Sequence, residues 1–234
     1  MTLAALDPVQ ALPGTGHPFD NLVSLLRFGG FDGAGVDASF LIQRQFTARG
    51  HAALLSAVAA LPLNGRPFPE AKQFVAAVAG YLPPLNPPKP MRATELVWGV
   101  SARSTLWAGA RGGAAMTAAC LMLLARTGSA AWPWTWSGSR LLVEAFPAAQ
   151  LRHWNLPHVK YNGADPIAAA NRAVIVRALG ARLSLGHHLP RVLGNADALD
   201  AVLCAFAARA ACSGTVVKAP GAGSQVEGWI AVHP

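Results

Sequence analysis

The chain has 234 residues, of which 53% are hydrophobic and only 13% charged, a composition that excludes intrinsic disorder. Its 19 Lys and Arg outnumber 11 Asp and Glu, for a formal net charge of +8; at this length roughly 70% of the extended-chain surface is buried on folding, so a core needs no staples. Carboxylates are therefore the scarce resource, and where the seven Asp and four Glu fall is informative.

In chain order, Asp20 to Arg27 has the spacing of an amphipathic helix, with Leu22, Leu25 and Leu26 on one side and Gly29-Gly30 as its stop. The short apolar run Gly33 to Leu41 (G-A-G-V-D-A-S-F-L) predicts a buried strand carrying one acid, Asp37. Helices are expected over His51 to Leu61 and Glu70 to Tyr81. The run L-P-P-L-N-P-P-K-P, Leu82 to Pro90, lacks backbone donors and forces extended conformations, so it reads as a surface insertion loop. Gly109 to Gly113 precedes an apolar helix, Ala114 to Arg126. It has neither the Walker spacing nor G-x-G-x-x-G and reads as a structural turn. The W-P-W-T-W segment, Trp132 to Trp136, could stack bases, but core or sheet-face packing is the commoner use of such residues.

Leu141 to Phe146 (L-L-V-E-A-F) is the clearest buried strand, stopped by Pro147, and Glu144 is its one polar residue. Burying an unpaired carboxylate costs several kcal/mol, so Glu144 must sit at an open strand end, pair with Arg or bind a cation. Ala168 to Leu179 is helical, and Asn195 or Ala196 opens a last helix running to about Ala211. There Leu199, Val202, Leu203 and Phe206 make the apolar face, while Asp197 and Asp200 lie side by side on the opposite flank. A helix dipole accounts for Asp197 better than for Asp200.

Cys120, Cys204 and Cys212 form no C-x-x-C pair and read as small buried apolar residues. The N-terminus shows no secretory signal, and the longest apolar runs fall short of the roughly twenty residues needed to span a bilayer. A cytoplasmic protein without a membrane span is expected. The positive balance, 15 Arg and 4 Lys spread along the chain without a basic run, is compatible with a nucleic-acid partner and equally with a GC-rich genome. The histidines, with His187-His188 expected in a loop, lack zincin spacing, and no G-x-S-x-G elbow is present.

Asp37, Glu144, Asp197 and Asp200 together form the set of carboxylates, drawn from two strands and a helix, that hard divalent cations require for phosphodiester hydrolysis. At these residues the sequence resembles a known family. D-A-L-D-A is similar to the D-A-x-D-A helix of RuvC-type resolvases, in the ribonuclease H-like superfamily. Closer still is domain of unknown function 429, a predicted ribonuclease H-like nuclease family, whose ordered motifs are matched at Gly35 to Phe40, Val143 to Pro147, Asp197 to Ala205 and Glu227 to Ile230.

The resemblance implies an α/β fold, a five-stranded ribonuclease H-like mixed sheet flanked by helices. It implies one domain over residues 1–234, with an insertion around 50–135 between the Asp37 and Glu144 strands. The superfamily's central Asp stands on a first strand in a G-x-D context. Here the only early acid is Asp7, in a segment that looks more like the third strand, so the first strand or strands are expected to be missing. The order Lys160-Tyr161-Asn162 departs from the family's Tyr-Lys pair. Glu227 is expected to close the fold. The implied activity is a metal-dependent nuclease in which Asp37, Glu144 and Asp200 hold Mg²⁺ or Mn²⁺ and Asp197 assists. The alternative is a catalytically inactive remnant that binds nucleic acid or a protein. Oligomeric state is not readable from the chain.

Overall fold

The computed structural model describes residues 1–42, 50–79, 91–100, 105–109, 112–135, 140–218, 220–221 and 224–234. The Pro-rich run 82–90 lies outside them, as does Trp136.

Helix α1 (Pro18–Phe28) starts on Pro18, and the His17 ring accepts from the Phe19 N–H at 3.1 Å. Strand β1 (Gly33–Val36) follows, then α2 (Gly50–Ala59), α3 (Ala71–Ala79), the short α4 (Ala93–Trp98) and the apolar α5 (Ala114–Thr127). Strand β2 (Ala131–Trp132) and strand β3 (Leu141–Glu144) lead into α6 (Pro147–His153). The chain closes with α7 (Pro166–Leu179), α8 (Leu189–Gly194), α9 (Ala196–Cys212) and α10 (Ser224–Glu227). Asn195 rather than Asp197 caps α9, accepting from the Ala198 N–H at 3.0 Å.

The described strands form one parallel sheet in the order β1-β3-β2, with Gly33 opposite Leu141, Val36 opposite Glu144 and Trp132 opposite Val143. This is smaller than the five-stranded mixed sheet expected, and among the described residues no antiparallel pair extends it. The Asp7 segment is not a strand of this sheet. Thr2 makes an isolated bridge to Ser184, while Pro8 and Pro13 remove donors around a 3-10 turn at Val9–Ala11. His187 and His188 belong to a 3-10 turn, Gly186–His188, that runs into α8.

Alternation along β3 decides what packs where. Leu142 joins the core formed by α1, α2, α3 and α5, whereas Leu141 and Val143 join α9 residues Cys204, Ala207, Ala208 and Ala211 on the other face. A strand covered on both faces reads as a continuous apolar run, which is why L-L-V is so plain in the sequence. Trp132 is fully buried in the second of these cores, and Trp134 stacks on His51 with centroids 4.0 Å apart. Both serve packing. Cys120 and Cys204 are buried, but Cys212 is exposed because it ends α9 at the surface. Among the described residues, no helix is long and apolar enough to cross a membrane.

Candidate active site

The approach of β1 to α9 sets the site. A Cβ on Gly35 would lie 2.6 Å from the Cys204 carbonyl carbon and 3.1 Å from its Cα, and nearer still to its oxygen. A Cβ on Gly33 would run into the Cys212 sulphur and reach the Ala208 Cβ at 3.7 Å. Strand residues 33 and 35 thus descend α9 from residue 208 to residue 204. Two strand residues advance about 6.6 Å and four helix residues about 6.0 Å, so the two series keep step. Asp37 and Asp200 are the next pair in that register. The carboxylates therefore meet beyond the carboxyl ends of the parallel strands, where open α/β sheets place their ligands.

A cavity of about 620 Å³ opens there, and all four acids expected from the sequence line it: Asp37, Glu144, Asp197 and Asp200. Arg92 and the loop carrying His158, Lys160 and Tyr161 complete its polar wall. Asp7 is not among the lining residues.

Asp37 is exposed to water in the cavity, yet enough protein lies around its carboxyl to desolvate it in part. That partial desolvation, followed by the charges of Asp200, Glu144 and Asp197, pushes its pKa up to about 7. Burial likewise raises Asp200 to about 6, with Asp197 adding to the rise; the Tyr161 hydroxyl donates to Asp200 Oδ1 at 2.8 Å and opposes it. Burial and the neighbouring Asp200 push the Tyr161 phenol well above its ordinary value. Asp197, one turn earlier, is exposed at the rim.

Glu144 reaches the same cavity from the other face of the sheet, because it shares the parity of Leu142 rather than that of Val143. It is 2% exposed, and its carboxylate is occupied. Arg92 Nη2 donates to Oε1, while Arg92 Nη1 at 3.0 Å and the Phe40 N–H at 3.1 Å both donate to Oε2. Arg92 is itself 1% exposed and also donates to Glu95 Oε1 at 3.4 Å and to the Glu227 carbonyl at 3.3 Å. Desolvation pulls the guanidinium down, but Glu144 and Glu95 more than offset it, so Arg92 stays charged. Glu227 Oε2 accepts from the Ala93 N–H at 2.9 Å, joining α10 to α4.

The 158–162 loop is fixed from behind by α7. Buried Arg172 donates to the carbonyls of Tyr161 at 2.6 Å, Gly163 at 2.8 Å and Leu193 at 2.8 Å, and Asn171 donates to that of Lys160 at 2.9 Å. Lys160 is held at φ 55°, a left-handed conformation that the flanking hydrogen bonds maintain.

Sequence reasoning did not single out Arg92 or Arg172, and noted Tyr161 only within Lys160-Tyr161-Asn162, the departure from the family's Tyr-Lys pair. Arg92 is one of many scattered Arg, and Tyr161 stands 39 residues from its acceptor. A signal for the approach of Asp37 to Asp200 lies in G-x-G-x-D and D-x-x-x-C-x-x-x-A-x-x-x-C, stripes of small residues of which the first ends and the second begins with an acid.

Fold and cavity define an α/β protein with an acid-lined cleft at the carboxyl edge of a parallel sheet. A family model described as "Protein of unknown function (DUF429)" matches residues 90–224, more than half of the chain, and the chain belongs to that family. The matched span holds Arg92, Glu144, Tyr161, Asp197 and Asp200, and Asp37 precedes it. No curated protein and no solved structure matches the chain.

Proposed function

We propose that the cavity is the active site of a divalent-metal-dependent, ribonuclease H-like nuclease that hydrolyses phosphodiester bonds in nucleic acid. One observation carries the reading: Asp37 and Asp200 raise one cavity's negative charge from two different elements, and among the described residues neither forms an ion pair. Like charges brought together in one cavity repel, and a hard cation is the usual remedy.

The donor set fits a cation held by two carboxylates and water, as Mg²⁺ commonly is. It does not form a closed protein cage, since among the described residues no three His, Cys, Asp or Glu side chains group closely enough to hold a metal ion. Bound there, Mg²⁺ or Mn²⁺ would supply an activated water and a counter-charge for the leaving oxygen.

Asp37 and Asp200 hold the site's negative charge, and the Tyr161 hydroxyl fixes the orientation of Asp200. Asp197 at the rim accepts a hydrogen bond from water entering the cavity. Lys160 and His158 provide cationic or hydrogen-bonding partners for a phosphate on the opposite wall. The test is cleavage of single-stranded, duplex and branched DNA and RNA with Mn²⁺. Wild type is expected to cut at least one of them and Asp200→Asn none; equal activity in the two would contradict the assignment.

A second reading, an inactive remnant that binds nucleic acid or protein, is favoured by the neutralisation of Glu144 by Arg92. It predicts binding at low salt without cleavage under any divalent metal.

A further inference from the structure

We infer that Arg92 is a resident cation that withdraws Glu144 from ion binding, so that the cavity accepts a single divalent ion, on Asp37 and Asp200. This rests on the metal-dependent reading above and deepens it by fixing the number of ions and excluding one carboxylate.

Three observations carry it. The first is occupancy. Both Glu144 oxygens already accept hydrogen bonds, Oε1 from Arg92 Nη2 and Oε2 from Arg92 Nη1 and the Phe40 N–H. A bidentate fork of this kind matches carboxylate geometry and is among the stronger hydrogen-bonded pairings.

The second is enclosure. Arg92 and Glu144 are 1% and 2% exposed, and the Glu227 carbonyl and the Glu95 carboxylate take further guanidinium protons. A Cβ on Gly228 would come within 3.4 Å of Glu144 Oε2, so the chain also covers the carboxylate from that side. An ion reaching Glu144 would have to displace a buried guanidinium held by α4 and α10, against the charge of that guanidinium.

The third is direction. Asp37 continues the Gly33 and Gly35 series that faces α9, whereas Glu144 shares the face of Leu142 and the helices that cover it. The Glu144 carboxylate thus approaches the sheet edge from the opposite side to the Asp37–Asp200 pair. Arg92 acts as a positioning residue that cancels one of the cavity's charges and leaves the other carboxylates for the ion.

The experiment counts Mn²⁺ bound to the full chain by titration calorimetry and by electron paramagnetic resonance of free Mn²⁺, without substrate. One equivalent is expected for wild type. The variant Arg92→Met/Glu144→Gln removes this buried pair while Gln keeps an acceptor for the Phe40 N–H, and Glu95, the guanidinium's other carboxylate, keeps its hydrogen bond from the backbone N–H of residue 92; circular dichroism checks that the variant folds. It should still bind one equivalent, with Kd within about threefold of wild type.

Two equivalents in wild type would overturn the inference and leave the nuclease reading standing, as would loss of Mn²⁺ binding by tenfold or more in the double variant. No Mn²⁺ bound to wild type would overturn the metal reading and the single-ion assignment with it.

Discussion

Gly35→Ala tests how the site is assembled. The added methyl would stand 2.6 Å from the Cys204 carbonyl carbon and 3.1 Å from its Cα. An ordinary contact is about 3.4 Å or more, so β1 and α9 must separate by roughly 1 Å. Both walls are backbone, so no rotamer change absorbs the strain, and the cost lies at the upper end of the overpacking range, about 3 kcal/mol. The reduced freedom of the unfolded chain returns up to about 1 kcal/mol. A net loss of about 2–3 kcal/mol lowers Tm by roughly 4–12 °C for a chain of this size.

The same displacement moves Asp37 relative to Asp200, and about 1 Å at reacting groups can cost on the order of a hundredfold in rate. Thermal unfolding followed by circular dichroism, with Mn²⁺ titration on the same sample, measures both effects. Gly30→Ala is the control, since nothing lies within 4 Å of its added Cβ. A Gly35→Ala protein with wild-type Tm and wild-type Mn²⁺ affinity would refute the claim that this close approach builds the site.

Other outcomes follow from the same geometry. Arg92→Met alone strands Glu144, and Glu95 beside it, as buried charges and should cost about 3–5 kcal/mol, part of it recovered on adding Glu144→Gln; urea denaturation of the two variants measures the difference. Asp37 binds its proton more tightly folded than unfolded, with a folded value near 7, so it weakens the fold as pH rises from about 4 to 7. Asp37→Asn should therefore raise Tm at about pH 8 in the absence of metal, and have little effect at about pH 4. A divalent ion must displace these protons, so Mn²⁺ should bind at least about tenfold more weakly at about pH 5 than at about pH 8, measured by calorimetry.

The buried β3 run, α5 and the capped start of α9 were legible because each obeys a local rule: apolar continuity, apolar density after Gly, or Asn before an apolar period. The four cavity acids were legible because carboxylates are rare in this chain and two of them interrupt apolar strands. Sheet size was not legible from the motif order, which implied five strands where the described residues form three.

Arg92 was hidden for a different reason. Its partner lies 52 residues away, and nothing local distinguishes a buried Arg from the scattered ones around it. The sequence offered three fates for Glu144, and only the fold shows that pairing with Arg is the one realised. Cys212 was expected to be buried and is exposed, because its burial depends on where α9 ends, a boundary that composition does not mark.

On the proposed reading, Asp37 and Asp200 jointly make this cavity a metal-dependent hydrolytic site. The most direct test of that reading is Mn²⁺-dependent cleavage of nucleic acid by wild type, Asp37→Asn and Asp200→Asn, each confirmed folded by circular dichroism. Cleavage by wild type that chelation abolishes is expected, with at least about a hundredfold loss in each variant. Cleavage that persists in both variants would contradict the reading, as would a wild-type protein that cuts no substrate with any divalent ion.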